Sequence, residues 1–191
     1  MSILLYHGSS TGGIQTLQPS TADHGKPYVY FTTSDVSAAL YAARVVDRPY
    51  YWVPYGYDAR GRITYTEVWR NGFSEIFSGK TGYVYCCEGD DKKLLRFPTH
   101  QSIRLSAEPV AISRCEKIED LYRWFLQREQ EGKLVIQRYE SLEPAQLSLW
   151  HGMVLEELIA SFSGVALDNA YTRFVQEKLP AVWERFLHEA Q

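Results

Sequence analysis

Cysteine is scarce in this sequence, and its spacing suggests no structural use. The 191 residues include three cysteines, of which Cys86 and Cys87 are adjacent and the third is Cys115. Adjacent cysteines are a poor framework for disulfides and do not match the paired spacing of a metal site. The sequence therefore predicts neither a disulfide scaffold nor a bound metal, and it suits a reducing compartment.

Long hydrophobic runs and a surplus of positive charge are also missing. No stretch approaches the length that spans a bilayer, and the short apolar run before His7 has no basic leader, so no secretory signal is expected. With 20 basic and 23 acidic residues, the formal net charge of -3 gives no general attraction for nucleic acid or an anionic membrane. We expect a cytoplasmic protein without a membrane partner.

Tyrosine, in contrast, is abundant and concentrated. The chain has 14 tyrosines, and ten of them fall between Tyr28 and Tyr85. A tyrosine joins a large apolar face to a hydroxyl that needs a partner, so this enrichment suits half-buried strands that line a groove. The alternative is that aromatic residues simply favour strands, and composition alone leaves both explanations open.

Short apolar and aromatic runs bounded by glycine, proline and aspartate indicate strands in the first 115 residues. These runs cover residues 3–6, 28–32, 50–53, 63–69, 83–87 and 109–113. A turn is expected at Asp58 to Gly61. One helix is predicted among the strands, over residues 35–46, with Thr33 and Ser34 as caps.

After residue 115 the apolar residues recur at helical spacing. The pattern predicts helices near 118–126 and 147–162, ended by Gly132 and Gly164, another over 169–179, and a last one opened by Pro180. We therefore predict an α+β fold with a split, mainly antiparallel sheet and an all-helical C-terminal extension. The expected domains are residues 1–115 and a helical extension, residues 116–191, packed on the first domain.

Two segments place ligand-binding chemistry at the ends of predicted strands. Leu5-Tyr6-His7-Gly8-Ser9-Ser10 ends in an imidazole and a glycine; the glycine lets a ligand approach the backbone, and the histidine offers a ring nitrogen to a hydroxyl. The second segment joins Tyr30-Phe31-Thr32 to Ala38-Ala39-Leu40-Tyr41, a strand followed by a helix. Taken singly, each has an ordinary structural explanation as a turn or as core aromatics.

Together these segments resemble the diphtheria-toxin and poly(ADP-ribose) polymerase branch of the ADP-ribosyltransferases. That family has a His-Gly-Thr or His-Gly-Ser strand end, a Tyr-x-Thr strand, and a helix with paired alanines before a second tyrosine. It also has a glutamate at the start of a later strand, which Ser106-Ala107-Glu108 supplies. The likeness covers about residues 3–113 and nothing after Cys115, and toxins and effectors are among the proteins it suggests.

The resemblance implies an ADP-ribosyltransferase-like NAD-binding domain in which NAD is the substrate. Gly8 would hold the nicotinamide amide, His7 would bond the nicotinamide ribose, and Tyr30 and Tyr41 would lie on the two faces of the ring. Ser9 and Thr32 complete the same motifs and are counted with the binding residues. Glu108 and His7 would be the catalytic residues, and the four side chains of His7, Tyr30, Tyr41 and Glu108 are expected to converge.

The chemistry agrees with these residue types. Cleaving nicotinamide from the ribose leaves an oxocarbenium-like centre, which a carboxylate aimed at the ribose hydroxyl stabilises. Two tyrosine faces attract the cationic pyridinium by about 0.5–2 kcal/mol each. Val110 stands where toxin members often have a second acidic residue, so a two-glutamate transfer to protein side chains is not supported. The acceptor, macromolecule or small molecule, stays unidentified.

Other interpretations remain open. An NAD-dependent RNA 2'-phosphotransferase would use the same fold but needs clustered arginines; Arg44 and Arg48 are near in sequence, while the overall acidity argues against a nucleic-acid partner. A catalytically degenerate binding module is the second alternative. Glu67 and Glu88 are alternative candidates for the catalytic role of Glu108. Gly8 to Gly12 matches a nucleophile elbow formally, but too little chain precedes Ser10 to supply an oxyanion hole.

Overall fold

The computed structural model describes residues 2–21, 25–43, 55–97, 100–162 and 169–189. The chain divides into two compact units, each built from two stretches of sequence. Unit 1 comprises residues 1–44 and 76–134, and unit 2 comprises residues 45–75 and 135–191. The predicted domains meet once, at residue 115, so residues 45–75 and 116–134 are grouped differently in the prediction and in the structure.

A seven-stranded sheet forms most of unit 1. The antiparallel strands β1 (Ser2–Ser9) and β4 (Pro27–Thr32) lie at its centre, and β7 (Gly82–Asp90) pairs with the whole of β1. The remaining strands are β3 (Ser20–Thr21), β8 (Leu95–Phe97), β9 (His100–Ser106) and β11 (Arg114–Ile118). The order is β11-β7-β1-β4-β9-β8, with β3 paired to the start of β4.

A two-stranded ribbon packs on one face of this sheet. It consists of β2 (Thr16–Leu17) and β10 (Val110–Ala111), paired antiparallel. Leu17 of the ribbon joins a hydrophobic cluster with Leu5, Val29 and Phe31 of the sheet. Because side chains alternate between faces along a strand, the odd-numbered residues of β1 and β4 point towards the ribbon. We call this side of the sheet the ribbon face.

Helix α1 (Asp35–Leu40) packs on the opposite side of the sheet, which we call the helix face. It begins where the Ser34 side chain accepts a hydrogen bond from the Ser37 backbone N–H. It ends at Leu40, earlier than the predicted residue 46, because the N–H groups of Tyr41 and Ala42 bond to carbonyls only three residues back. Such tightening closes a helix end. Predicted helical residues 44–46 lie outside the described residues.

Unit 2 combines a small sheet with the C-terminal helices. The sheet order is β12 (Leu134–Gln137), β6 (Ile63–Thr66) and β5 (Tyr55–Tyr57). The predicted turn between β5 and β6 is confirmed, since the Asp58 carboxylate accepts hydrogen bonds from the N–H groups of Arg60 and Arg62. The helices are α4 (Pro144–Phe162), α5 (Ala170–Lys178) and α6 (Pro180–Glu189). Two further helices are α2 (Gly72–Phe77), of which residues 72–75 belong to unit 2 and residues 76–77 to unit 1, and α3 (Leu121–Gln130), in unit 1.

The α+β class, the mainly antiparallel sheet and the C-terminal helices are confirmed. The prediction that everything after residue 115 is helical is wrong, because β11 extends to Ile118 and β12 follows α3. Strand β12 has only four residues, so its alternation of buried Leu134 and Ile136 with half-buried neighbours is too short to stand out beside long helical patterns. The predicted strand at 50–53 lies outside the described residues.

None of the helices described is both long enough and apolar enough to cross a bilayer.

Candidate functional site

A pocket of about 320 Å³ opens in unit 1 beside β1 and β4. Its walls come from the end of β1, from the chain between β1 and β3, and from β4. The lining residues are His7, Ile14, Thr16, Leu17, Gln18, Ser20, Tyr28, Val29 and Tyr30. The lining side chains among the described residues carry hydroxyl, amide, imidazole and apolar groups, and none of them is lysine, arginine, aspartate or glutamate.

The pocket lies where one edge of β4 changes partners. Ser20 of β3 pairs with Tyr28 near the start of β4, whereas Tyr6 of β1 pairs with Thr32 at its end. Pro27 has no N–H, so the hydrogen bonds to β3 come from the backbone of Tyr28. Every second residue of a strand directs its backbone N–H and carbonyl to the same edge, so Tyr28, Tyr30 and Thr32 face one edge of β4. The two partners therefore share an edge and leave an opening at Tyr30.

The His7 imidazole bridges this opening. Its Nδ1 lies 2.9 Å from the Tyr30 carbonyl oxygen, and since a carbonyl only accepts, Nδ1 carries the proton. Burial lowers the pKa of His7 below its ordinary value of 6.5, while the hydrogen bond to Tyr30 opposes that shift more weakly. At neutral pH the ring is therefore neutral, and Nε2 carries a lone pair that can accept from a hydroxyl.

Gly8 has a packing role that is independent of any ligand. A Cβ atom at this position would overlap the carbonyl oxygen of Ala38 in α1 and lie 3.2 Å from the Ala42 nitrogen. Only glycine allows α1 to approach β1 this closely. The glycine expected to hold a carboxamide is thus required by the fold, and its backbone groups lie in the plane of the sheet beside the opening.

The structure does not place the predicted side chains on one face of the sheet. Strand alternation puts Tyr30 on the helix face with Gly8, whereas His7 lies on the ribbon face, where its ring contacts Phe31 edge-on at a centroid distance of 6.4 Å. His7 meets the backbone of Tyr30, not its ring. Tyr41 follows the last residue of α1 as its C-terminal cap and is 48% exposed; it is not part of the pocket lining.

The two hydroxyl residues of the predicted motifs support local backbone structure. Thr32 is buried, and its Oγ1 accepts a hydrogen bond from the Ser34 N–H at 3.2 Å, just before α1 begins. The Ser9 hydroxyl accepts from the Thr11 N–H at 3.1 Å, in the turn that follows β1. Neither side chain is among the pocket-lining groups.

Glu108 lies in the turn that leads from the sheet to the ribbon. Two residues before it, Ser106 pairs with Val29, and two residues after it, Val110 pairs with Leu17. Both partners line the pocket. Two extended residues span about 7 Å and neighbouring strands lie about 5 Å apart, so the Glu108 Cα is within about 12 Å of each partner. The residue is exposed, and its backbone N–H and carbonyl both bond to the Ser106 hydroxyl.

Glu67 and Glu88, the alternative candidates for the role of Glu108, do not line the pocket. Glu67 is 4% exposed and belongs to unit 2, where its two carboxylate oxygens accept hydrogen bonds from the backbone N–H groups of Phe73 and Tyr139 at 3.0 and 3.1 Å. Glu67 is therefore a structural carboxylate. Glu88 is exposed on β7, where it pairs with Leu4.

Sequence reasoning missed most of the pocket lining. Tyr28 was detectable, since it stands two residues from Tyr30 on the same strand and contacts its ring edge-on at 6.5 Å. Thr16, Gln18 and Ser20 gave no signal, because they lie in very short strands and in the irregular chain between them. Within the described ranges, no cluster of three or more histidine, cysteine or acidic residues is arranged to bind a metal ion.

Comparison with known protein families, with curated proteins and with solved structures finds no match to this chain.

Proposed function

We propose that this protein is an NAD-dependent ADP-ribosyltransferase with an ADP-ribosyltransferase-like fold. It would bind the nicotinamide riboside half of NAD at the opening between β1 and β4, cleave the glycosidic bond and transfer ADP-ribose to an acceptor. The C1'–N bond electrons leave with nicotinamide, which becomes neutral, and the acceptor nucleophile attacks C1' and loses its proton.

The hydrogen bond from His7 Nδ1 to the Tyr30 carbonyl is the observation that carries this proposal. It fixes the tautomer, so Nε2 accepts from a ribose hydroxyl at the edge of the pocket. This hydrogen bond also engages the Tyr30 carbonyl at the position where the pairing of β1 with β4 stops. Backbone groups of Gly8 in the sheet plane beside this opening suit the donor and acceptor of a carboxamide. The Tyr30 ring, on the helix face, supplies an aromatic surface for the pyridinium.

Glu108 supplies the negative charge that this reaction needs. The carboxylate forms no hydrogen bond or ion pair with the residues described, and it would face the developing oxocarbenium ion. Its turn connects two strands whose partners, Val29 and Leu17, line the pocket. Removing a comparable electrostatic contact costs about 10²–10³ in rate in other enzymes.

The described part of the lining does not support the phosphotransferase alternative. Phosphate transfer from RNA needs cationic groups around the phosphate, whereas the pocket-lining side chains among the described residues are neutral, and Arg44 and Arg48 lie outside the described residues. A neutral pocket suits a nicotinamide or nucleoside group, with the pyrophosphate outside. A degenerate binding module would keep this pocket and lack turnover, and the following experiment separates it from an enzyme.

The test is release of nicotinamide from NAD, followed by chromatography, for the wild type, Glu108→Gln and the control Glu88→Gln. Glu88 is an exposed acidic residue on β7 of the same unit, so its variant controls for loss of one surface charge. We expect Glu108→Gln to reduce release about 10²-fold or more, and Glu88→Gln to match the wild type. An equal loss in both variants would remove Glu108 from its role, and NAD binding without release by the wild type would favour the binding module.

A further inference from the structure

We propose that Tyr85 is a positioning residue that holds one wall of the pocket in its binding-competent form. The inference rests on the proposed function for the identity of the ligand, but its structural part can be tested separately. Tyr85 lies on β7, outside the motifs that carry the resemblance to ADP-ribosyltransferases. Its phenol connects this strand to the segment Thr11 to Ile14, which leads from β1 into the pocket wall.

Two hydrogen bonds make this connection. The Tyr85 hydroxyl donates to the Thr11 carbonyl at 2.8 Å and accepts from the Ile14 N–H at 3.3 Å. Tyr85 itself is only 1% exposed. One buried hydroxyl thus satisfies a carbonyl and an N–H three residues apart in a segment that lies outside the strands of the described chain. Ile14 contributes directly to the pocket lining.

Tyr83, two residues before Tyr85 on β7, packs against the same segment. Tyr83 stacks on Tyr85 with a centroid distance of 6.4 Å and an interplanar angle of 20°. Gly12 rests on the Tyr83 ring so closely that a Cβ atom at position 12 would lie 2.6 Å from the ring carbon Cζ. The segment therefore crosses two tyrosine rings, and of these two residues it is Tyr85 whose hydroxyl bonds to Thr11 and Ile14 at its two ends.

Tyr85 is also next to the histidine of the candidate site. His7 and Tyr85 are direct partners in the antiparallel pairing of β1 with β7, so their side chains leave the same face of the sheet side by side. The phenol that fixes the Thr11–Ile14 segment is thus adjacent to the imidazole across the strands. Removing its hydroxyl would free the wall segment while the Phe ring would still pack beside His7.

The variant Tyr85→Phe tests this role, with Tyr83→Phe as the matched control. Both changes remove one phenol oxygen from β7 and keep the ring, but only the first removes bonds to the wall segment. We expect Tyr85→Phe to raise KM for NAD about tenfold, the factor that corresponds to one net hydrogen bond. We expect kcat within about twofold of the wild type, because the reacting groups are unchanged. Tyr83→Phe should alter neither value.

Hydrogen exchange measured by mass spectrometry supplies a readout that needs no NAD. The amides of residues 12–15 should exchange faster in Tyr85→Phe than in the wild type and in Tyr83→Phe, with no general increase across β1 and β7. Unchanged exchange in this segment, or a loss of kcat with unchanged KM, would overturn the inference. Absence of NAD binding by the wild type would instead overturn the proposed function, while exchange would still decide whether Tyr85 holds the wall.

Discussion

Replacing Glu67 with glutamine should destabilise unit 2 and leave the candidate site in unit 1 intact. The Glu67 carboxylate is buried between the end of β6, the start of α2 and Tyr139. Its two oxygens accept one backbone N–H each, from Phe73 and Tyr139. Glutamine keeps one acceptor oxygen but places an NH₂ donor against the other backbone N–H.

The expected loss follows from these two contacts. A hydrogen bond to a charged group contributes about 1.5–3 kcal/mol, and leaving a buried donor unsatisfied costs about 1–3 kcal/mol. One bond is lost and the other becomes neutral, so we expect the free energy of unfolding to fall by about 2–4 kcal/mol. The control is Glu140→Gln, which removes an exposed ion pair with Arg70; such pairs contribute less than about 1 kcal/mol.

Urea denaturation followed by tryptophan fluorescence and circular dichroism measures both variants. The difference between Glu67→Gln and Glu140→Gln should be at least about 1 kcal/mol, and nicotinamide release below the transition should match that of the wild type. Equal stability of the two variants would refute the structural assignment. Abolished release by a stably folded Glu67→Gln protein would return Glu67 to the catalytic candidates.

Three further predictions follow from single positions. Gly8→Ala should reduce the free energy of unfolding by about 3 kcal/mol or more, because the new methyl group overlaps a helix carbonyl. In the same urea titration Gly152→Ala should raise the free energy of unfolding by about 0.5–1 kcal/mol, because Gly152 lies in a helix with open space around it. Burial lowers the pKa of His7 below 6.5, so the unfolded chain binds more protons than the native protein below that pH, and stability should fall as pH drops from 6.5 through the native pKa. The urea midpoint of His7→Gln should therefore drop less between pH 7.5 and 5.5 than that of the wild type. An equal drop in the two proteins would contradict the lowered pKa. A thiol reagent at pH 8 should label exposed Cys115 quickly and Cys87 only on unfolding, since Cys87 is buried with a pKa raised to about 11; fast labelling of Cys87 in the native protein would contradict its burial.

The sequence predicted those elements whose signal is local. Helices α5 and α6 follow from apolar periodicity together with Asn169 and Pro180 at their starts, and the structure has a capping box at Asn169. The alternating run of β4 likewise stands out. Strand β11 does not, because Arg114 to Lys117 are exposed on the edge of the sheet and carry no hydrophobic pattern. Its pairing with β7 depends on contacts distant in sequence.

The candidate site was predictable to a similar extent. His7 and Tyr30 could be associated from the order of two strand ends, and the structure gives them a direct contact. The faces on which their side chains lie depend on strand register, which one sequence leaves undefined. Tyr85 was beyond reach for a related reason: its partners Thr11 and Ile14 are 74 and 71 residues away, and a buried tyrosine in a strand has the ordinary explanation of core packing.

A crystal structure of the protein with NAD bound tests the central claim most directly. The account predicts a nicotinamide ring at the opening between β1 and β4, against the Tyr30 ring, with a ribose hydroxyl within hydrogen-bonding distance of His7 Nε2 and the Glu108 carboxylate turned towards the same ribose. NAD bound elsewhere on the chain, or a nicotinamide ring that contacts neither His7 nor Tyr30, would contradict it.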